Sequence, residues 1–394
     1  MNPVRLLTFS SLFPNAEQPN HGIFVQNRLR HLIAGGEVVS TVVAPVPYFP
    51  FASKRFGDAS AYARVLRQEV RHGLTIHHPR FPVIPKIGMN LAPWLLYRAA
   101  APFIAGLLRR GERFDAIDAH YVYPDGVAAL WLGRRFELPV VITARGTDIS
   151  LIPDFATPRR LIQGALAGAA ALIGVSEALR QAMITLGADA GKTVTLRNGV
   201  DTAMFRPLPR EDLRTALALV RPTLLSVGHL IERKGHHRTI EAMLQLPEFD
   251  LIIAGEGPER GALQAQIDRA ALAGRVRLLG TRPHAELPSL YSAADAMVLA
   301  SSREGWANVL LESMACGTPV VASNIWGNPE VVGSPAAGLI YDPNTSDGIA
   351  AGVRKLFAEP PDRAATRAYA EDFSWDATTA GQISIFRRVI KTAG

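Results

Sequence analysis

Residues 296–323 read AMVLASSREGWANVLLESMACGTPVVAS. Residues 296–300 form a short apolar run of strand length, and 301–306 are turn-like. From Asn308 the apolar positions Val309, Leu310, Leu311, Met314 and Ala315 recur at helical spacing, and Gly317-Thr318-Pro319 stops that helix. Residues 319–323 return to a strand pattern. A strand, a loop, a helix and a second strand in this order join parallel strands. The unit also carries two carboxylates eight positions apart: Glu304 in the loop at the strand's carboxyl end, and Glu312 about one turn into the helix.

The same alternation extends in both directions. Strand-like runs are expected at 4–10, 38–46, 74–80, 116–120, 140–145, 171–176 and 194–197, then at 223–228, 250–255, 276–280, 296–300, 319–323 and 338–341. Near-continuous apolar runs suit strands covered on both faces. Residues 198–210, NGVDTAMFRPLPR, hold turn residues and two prolines and read as a linker. The expected fold class is α/β: two doubly wound, Rossmann-like parallel-sheet domains, 1–200 and 201–375, facing across a cleft. Ligands of such sheets sit beyond the carboxyl ends of the strands.

With 394 residues, 48% of them hydrophobic and 20% charged, the chain can bury a large core and has no disordered composition. Cys316 is the single cysteine, which excludes an internal disulfide and fits a reducing cytosol. The opening MNPVRLLTFSSLF lacks the pattern of a signal peptide. The net charge of +7 is uneven: residues 1–200 carry +9 and residues 201–394 carry −2. A basic first half fits an anionic partner or plain solubility charge. No zinc-finger spacing or RNA-binding signature points to nucleic acid.

Residues 86–113, KIGMNLAPWLLYRAAAPFIAGLLRRGER, are strongly apolar with basic ends. Pro93, Pro102 and Arg98 argue against a membrane span. Core helices are the favoured reading; an amphipathic surface in peripheral contact with an anionic membrane is the other.

The helix start between Glu304 and Glu312 offers free N–H groups, an anion site. Carboxylates accept hydrogen bonds from sugar hydroxyls, so the arrangement suits a ligand with phosphate in the middle and hydroxyls at both ends. A nucleotide sugar is such a ligand. The segment 255–261, GEGPERG, has its third glycine one position too far for a dinucleotide fingerprint and no ribose acid follows. No D-x-D and no Cys/His cluster is present, so no metal or other cofactor is expected.

EGWANVLLE followed by SMACGTPVVAS resembles the E-x7-E signature of retaining glycosyltransferases, closest to family 4 with the GT-B fold. GIFVQNRLRHL, AHYVYPDG, ITARGTDI, RNGVD, SVGHLIERKG, IAGEGPE and LYSAADAMVLASSREG agree in order over nearly the whole chain. The first few are similar to cell-surface polysaccharide enzymes of the teichuronic-acid type. The resemblance implies that Glu304 binds the donor sugar's hydroxyls and Glu312 the ribose hydroxyls. Gly305, Trp306, Ala307, Asn308 and Val309 would offer backbone groups to sugar and diphosphate. Lys234 and Arg233, after Gly228, would neutralise the diphosphate, and His229 stands where relatives often have Arg. Arg282 lies where relatives hold the base. In the first domain His120 would touch the donor sugar; Arg145 stands where many relatives have His, and Asp148 either orients Arg145 or acts as a base. Gly22, at a helix start, would let a backbone N–H approach phosphate or simply start the helix. The last segment, FSWDATTAGQISIFRRVI, resembles the helix, about 376–394, that crosses back to the first domain.

The implied activity is transfer of a sugar from a UDP- or GDP-sugar to a glycan or lipid-linked acceptor, without metal, in the cytoplasm or on the inner face of the plasma membrane. An epimerase of the same fold and a non-catalytic nucleotide-sugar-binding subunit remain alternatives.

Overall fold

A computed structural model describes residues 2–51, 53, 59–83 and 88–393. Lys86 and Ile87 of the apolar segment lie outside the described residues. The chain divides into two compact units, Met1–Arg197 with Asp376–Gly394, and Asn198–Trp375.

The strands of the first unit are β1 (Val4–Phe9), β2 (Val38–Val43), β3 (Val46–Pro47), β4 (Gln68–Arg71), β5 (Leu74–His77), β6 (Arg80–Phe81), β7 (Ala116–His120), β8 (Val140–Ala144), β9 (Ala171–Gly174) and β10 (Thr193–Thr195). Eight form one sheet in the order β10-β9-β8-β7-β1-β2-β5-β4, and β3 pairs with β6. Strands β7 and β8 are buried along their whole length, as runs such as VVITA require. All neighbours are parallel except β4 and β5. The short β4 was not expected from the sequence. It is an edge strand of four residues, QEVR, with too few apolar positions to show a period. Its signal was the turn instead: His72 and Gly73, both at positive φ (48° and 77°), join it to β5.

The helix Trp375–Ala393 contributes Ile383, Ile385, Phe386 and Val389 to the core of this unit, beside Val25 and Leu29 of the helix Ile23–Ala34. Buried Arg28 Nε donates to Gln382 Oε1 at 3.0 Å and ties the two helices. The helix Gly88–Arg109 is two-sided, so the core reading holds for one face only. Leu95, Leu96, Ala100, Ile104 and Leu107 are buried, whereas Met89, Leu91 and Trp94 are exposed.

The strands of the second unit are β11 (Thr223–Val227), β12 (Asp250–Ala254), β13 (Val276–Gly280), β14 (Ala296–Leu299), β15 (Val320–Ser323) and β16 (Gly338–Tyr341). They form one parallel sheet in the order β13-β12-β11-β14-β15-β16. The order reverses between β11 and β14. In the first unit it reverses at β1 and β7. Loops that leave neighbouring strands at such a reversal diverge to opposite faces and open a crevice.

Candidate functional site

In the second unit the loop after β11 ends in a tight turn, Glu232–Lys234, followed by Gly235 at φ 70°. A Cβ at Gly235 would lie 2.1 Å from the Ala300 carbonyl oxygen, so only glycine lets this loop press onto the end of β14. The approach brings Lys234 to Glu304. Lys234 Nζ donates to Glu304 Oε1 at 2.6 Å, and Ser301 Oγ donates to the same oxygen at 2.7 Å. Arg233 Nη1 lies 4.0 Å from Oε2 and donates to the Arg303 carbonyl at 2.9 Å. Burial works to raise the Glu304 carboxyl, but Lys234, then Arg233 and Ser301, hold it below the usual carboxylate range. It is an ionised, mostly buried acid between two cations.

The helix Asn308–Ala315 begins four residues after Glu304. Its Asn308 and Leu310 N–H groups are taken by the Trp306 and Ala307 carbonyls; that of Val309 has no acceptor among the described residues. Asn308 Oδ1 accepts from Asn198 Nδ2 at 3.1 Å. Trp306 is buried, its ring 6.0 Å from that of Phe373. Gly305 and Ala307 are buried as well. The Trp306 side chain thus packs inward.

Glu312 is held at both oxygens. Tyr291 OH donates to Oε2 at 3.0 Å, and His284 Nε2 lies 3.1 Å from Oε1. Phe205 sets its ring against both, 5.1 Å from His284 and 6.1 Å from Tyr291. Burial disfavours the charged His284 ring, yet Glu312 outweighs it and raises its pKa. Burial, and then Glu312, push the Tyr291 hydroxyl far up, so it stays a donor. Sequence reasoning missed both residues, Tyr291 because PSLYSAAD reads as packing. The faint signal was a polar-tipped ring in an otherwise apolar helix, which needs a partner when buried.

Two expected members stand apart. Arg282 is exposed and lies 3.7 Å from Glu286, and His229 is exposed; among the described residues neither joins the Lys234–Glu304 pair. Gly228 begins the loop and follows β11 directly. Next to it, buried His236 places Nδ1 3.1 Å from Ser226 Oγ, and burial followed by Lys234 pushes its pKa down to about 4.

In the first unit the carboxyl ends of β7 and β8 carry His120 and Arg145. His120 Nδ1 accepts from Arg145 Nη2 at 2.7 Å, while Nε2 lies 3.1 Å from Asp118 Oδ2, within ion-pair distance but outside hydrogen-bond geometry. Arg145 also lies over the Phe24 ring, 5.4 Å from its centre. Burial alone would raise Asp118, but His120, Arg28 and Arg145 together keep its pKa low. Burial lowers His120, and it lowers Arg145 to about 10, so the ring is neutral and the guanidinium charged near neutral pH.

Asp148 grips backbone at the same strand ends. Its carboxylate accepts the backbone N–H groups of Val122 (2.7 Å), Gly146 (2.7 Å) and Arg145 (3.1 Å), and so pins two strand-end loops. Asp125 plays the same part for the loop after β1, accepting from Ser11 N and from Ser11 Oγ at 2.9 Å. Burial pushes its carboxyl up to about 7. Gly22 starts the helix Ile23–Ala34 at φ 68°, and a Cβ there would lie 2.3 Å from the Leu12 carbonyl oxygen. The close approach of the loop to the helix start explains this glycine without a ligand. No group of three or more His, Cys, Asp or Glu among the described residues is placed to hold a metal ion.

Residues 210–373 match the family described as glycosyl transferases group 1, and residues 59–204 match glycosyltransferase family 4. The chain is 30% identical to a glycogen synthase of Mycobacterium tuberculosis, over 75% of this chain and 76% of that one. It is 23% identical to a putative teichuronic acid biosynthesis glycosyltransferase of Bacillus subtilis, over 89% of each. Among solved structures it is similar to a sucrose-phosphate synthase of Thermosynechococcus elongatus, with a TM-score of 0.80 and 22% identity over 99% of this chain and 100% of that one. It is also similar to an Anabaena protein solved with UDP and glucose, with a TM-score of 0.72 and 22% identity over 96% and 98%.

Proposed function

The chain belongs to glycosyltransferase family 4 and has the GT-B fold, and from that premise we propose that it transfers a sugar, with retention, from a UDP- or GDP-sugar to a glycan or lipid-linked acceptor of a cell-surface polysaccharide. The observation that carries the donor half is the Lys234–Glu304 pair, 2.6 Å apart at the β11/β14 reversal beside the start of the helix Asn308–Ala315. A diphosphate takes Lys234, Arg233 and the Val309 N–H. The freed lone pairs of Glu304 take sugar hydroxyls, and Glu312, already oriented by His284 and Tyr291, takes the ribose.

The bond from the sugar's anomeric carbon to the phosphate oxygen breaks. The acceptor oxygen bonds that carbon on the same face, and its proton passes to the departing phosphate oxygen. The products are the glycosylated acceptor and a nucleoside diphosphate. Negative charge grows on the leaving group, so fixed cations stabilise the transition state more than the ground state. Lys234 and Arg233 supply that charge, which makes the reaction independent of a metal. Glu304 is tied to Lys234 and serves as a hydrogen-bond acceptor, not a nucleophile. Arg145 holds His120 Nδ1, which leaves Nε2, beside Asp118, as the nitrogen for a donor sugar. The basic first half of the chain favours an anionic acceptor and a place on the cytoplasmic face of a membrane.

A panel of nucleotide sugars tests this reading, scored by thermal shift and by released nucleotide. At least one UDP- or GDP-sugar is expected to stabilise the chain and to be slowly hydrolysed without added metal. If no nucleotide sugar does either, the proposal fails.

A further inference from the structure

Three helices pack side by side on one face of the first sheet: Gly88–Arg109, Val127–Phe136 and Ala156–Gly168. Together they carry six arginines, Arg98, Arg109, Arg134, Arg135, Arg159 and Arg160, and not one Asp or Glu. All six are exposed. Acidic residues flank the layer only at its loops, as Asp154 and Glu137.

The first of these helices exposes an apolar edge at its start. Met89 is 40% exposed, Leu91 37% and Trp94 49%. Leu91, Trp94, Arg98 and Pro102 follow at spacings of three and four and share one outer face. Arg98 stacks over the Trp94 ring, 5.5 Å from its centre. Arg135 Nη1 donates to Tyr97 OH at 3.3 Å, which sets the second helix's cations beside the first helix. The helix is the one among the described residues that is long and apolar enough to cross a membrane, but its buried face is committed to the core and it carries Pro93 and Pro102 in its interior. An aromatic and aliphatic edge with Arg98 and Arg135 beside it, on a helix layer that exposes six arginines and no acid and is anchored on its other side, matches a surface lying in the headgroup region of an anionic bilayer.

The location adds a reason. Tyr123 OH donates to the Met89 carbonyl, so the apolar edge begins beside the loop that follows His120. A lipid-linked acceptor held in the bilayer would be delivered at the strand ends of this unit.

We infer that the outer face of these three helices is an anionic-membrane docking surface, with Leu91 and Trp94 entering the headgroup layer and the arginines holding phosphates. The inference rests on the membrane side of the proposed function and not on its donor chemistry.

The test is co-sedimentation of the full chain with phosphatidylglycerol vesicles and with phosphatidylcholine vesicles, at low and high salt. Binding is expected to the anionic vesicles alone and to fall with salt. Leu91→Ser with Trp94→Ser, and separately Arg134→Glu with Arg135→Glu, should each lower the partition coefficient by about tenfold or more, at about fivefold per charge removed. Arg269→Glu with Lys355→Glu, exposed positions of the second unit, should leave it unchanged. Thermal shift with the nucleotide sugar should be the same in all variants, which separates a failure here from a failure of the donor reading. The inference is overturned if the chain ignores anionic vesicles, or if the second-unit variant loses as much as the others. It is also overturned if only the charge changes matter and the same changes abolish retention on a single-stranded RNA, which would make the face a nucleic-acid site.

Discussion

At the strand-order reversal of the first unit, Asp118, His120, Arg28 and Arg145 are each 9% exposed or less. At the reversal of the second, Lys234, Arg233 and Glu304 keep 16%, 31% and 10% of their side chains open. The chemistry of the two clusters is similar: arginine or lysine around one carboxylate, beside neighbouring parallel strands. Access differs. In the first, the opposite charges sit together in a place water does not reach. In the second, the cations can exchange a carboxylate for a phosphate at a smaller desolvation cost, because they are already partly in solvent. A ligand site needs that exchangeability, and a scaffold needs its absence.

The sharpest way to break this contrast is to remove one cation from each cluster. Arg145→Met leaves Asp118 short of charge in a closed site and should cost about 3–5 kcal/mol of stability by urea unfolding. Lys234→Ala should cost less stability, yet lower kcat/KM for the donor by about a hundred- to a thousandfold, or about 2.7–4 kcal/mol. If the two variants trade places, with Lys234→Ala the less stable and Arg145→Met the less active, the assignment of scaffold and site is reversed.

A third effect follows from His236, under the second cluster. Its folded value of about 4 lies below 6.5, the ordinary value for histidine. A base depressed by folding must lose stability as pH falls below 6.5, levelling off under about 4. The full loss is on the order of 3 kcal/mol, at 1.36 kcal/mol per unit. Unfolding midpoints at neutral and mildly acid pH should show the slope, and His236→Gln should flatten it.

The smallest effect sharpens the site itself. His284→Ala frees one oxygen of Glu312 to reorient, so donor KM should rise about five- to tenfold with kcat kept. Because Glu312 raises the folded pKa of His284, the pair's share of stability is whole below 6.5 and is lost as pH climbs through the raised value. A variant with unchanged KM and an unchanged alkaline slope would reduce His284 to packing.

Much of this was legible in the chain. The strand pattern held because buried parallel strands must be continuously apolar, and β4 was hidden because an exposed edge strand need not be. Glu304 and Lys234 were visible as separate signals, each at the end of a strand-like run. Arg28 falls within a helix pattern, Asp118 within a buried strand, and Tyr291 within a segment that reads as packing. Nothing local marks a polar residue inside an apolar stretch as belonging to a distant partner. Gly22 was read as a phosphate approach or a helix start, and the Leu12 carbonyl against it supports the second.

By itself the sequence determined the alternation of strands and helices, the two sheets and the strand ends at which charged groups fall, because these depend on periodicity and turn chemistry over ten residues or so. Only the tertiary structure decided which charges meet. Lys234 and Glu304 stand 70 positions apart, and Arg28 and Gln382 stand 354 apart. Their pairing is set by strand order and by a glycine that lets two backbones touch. Whether a cluster is sealed or open then depends on what packs over it, and that is a property of the whole unit rather than of any segment.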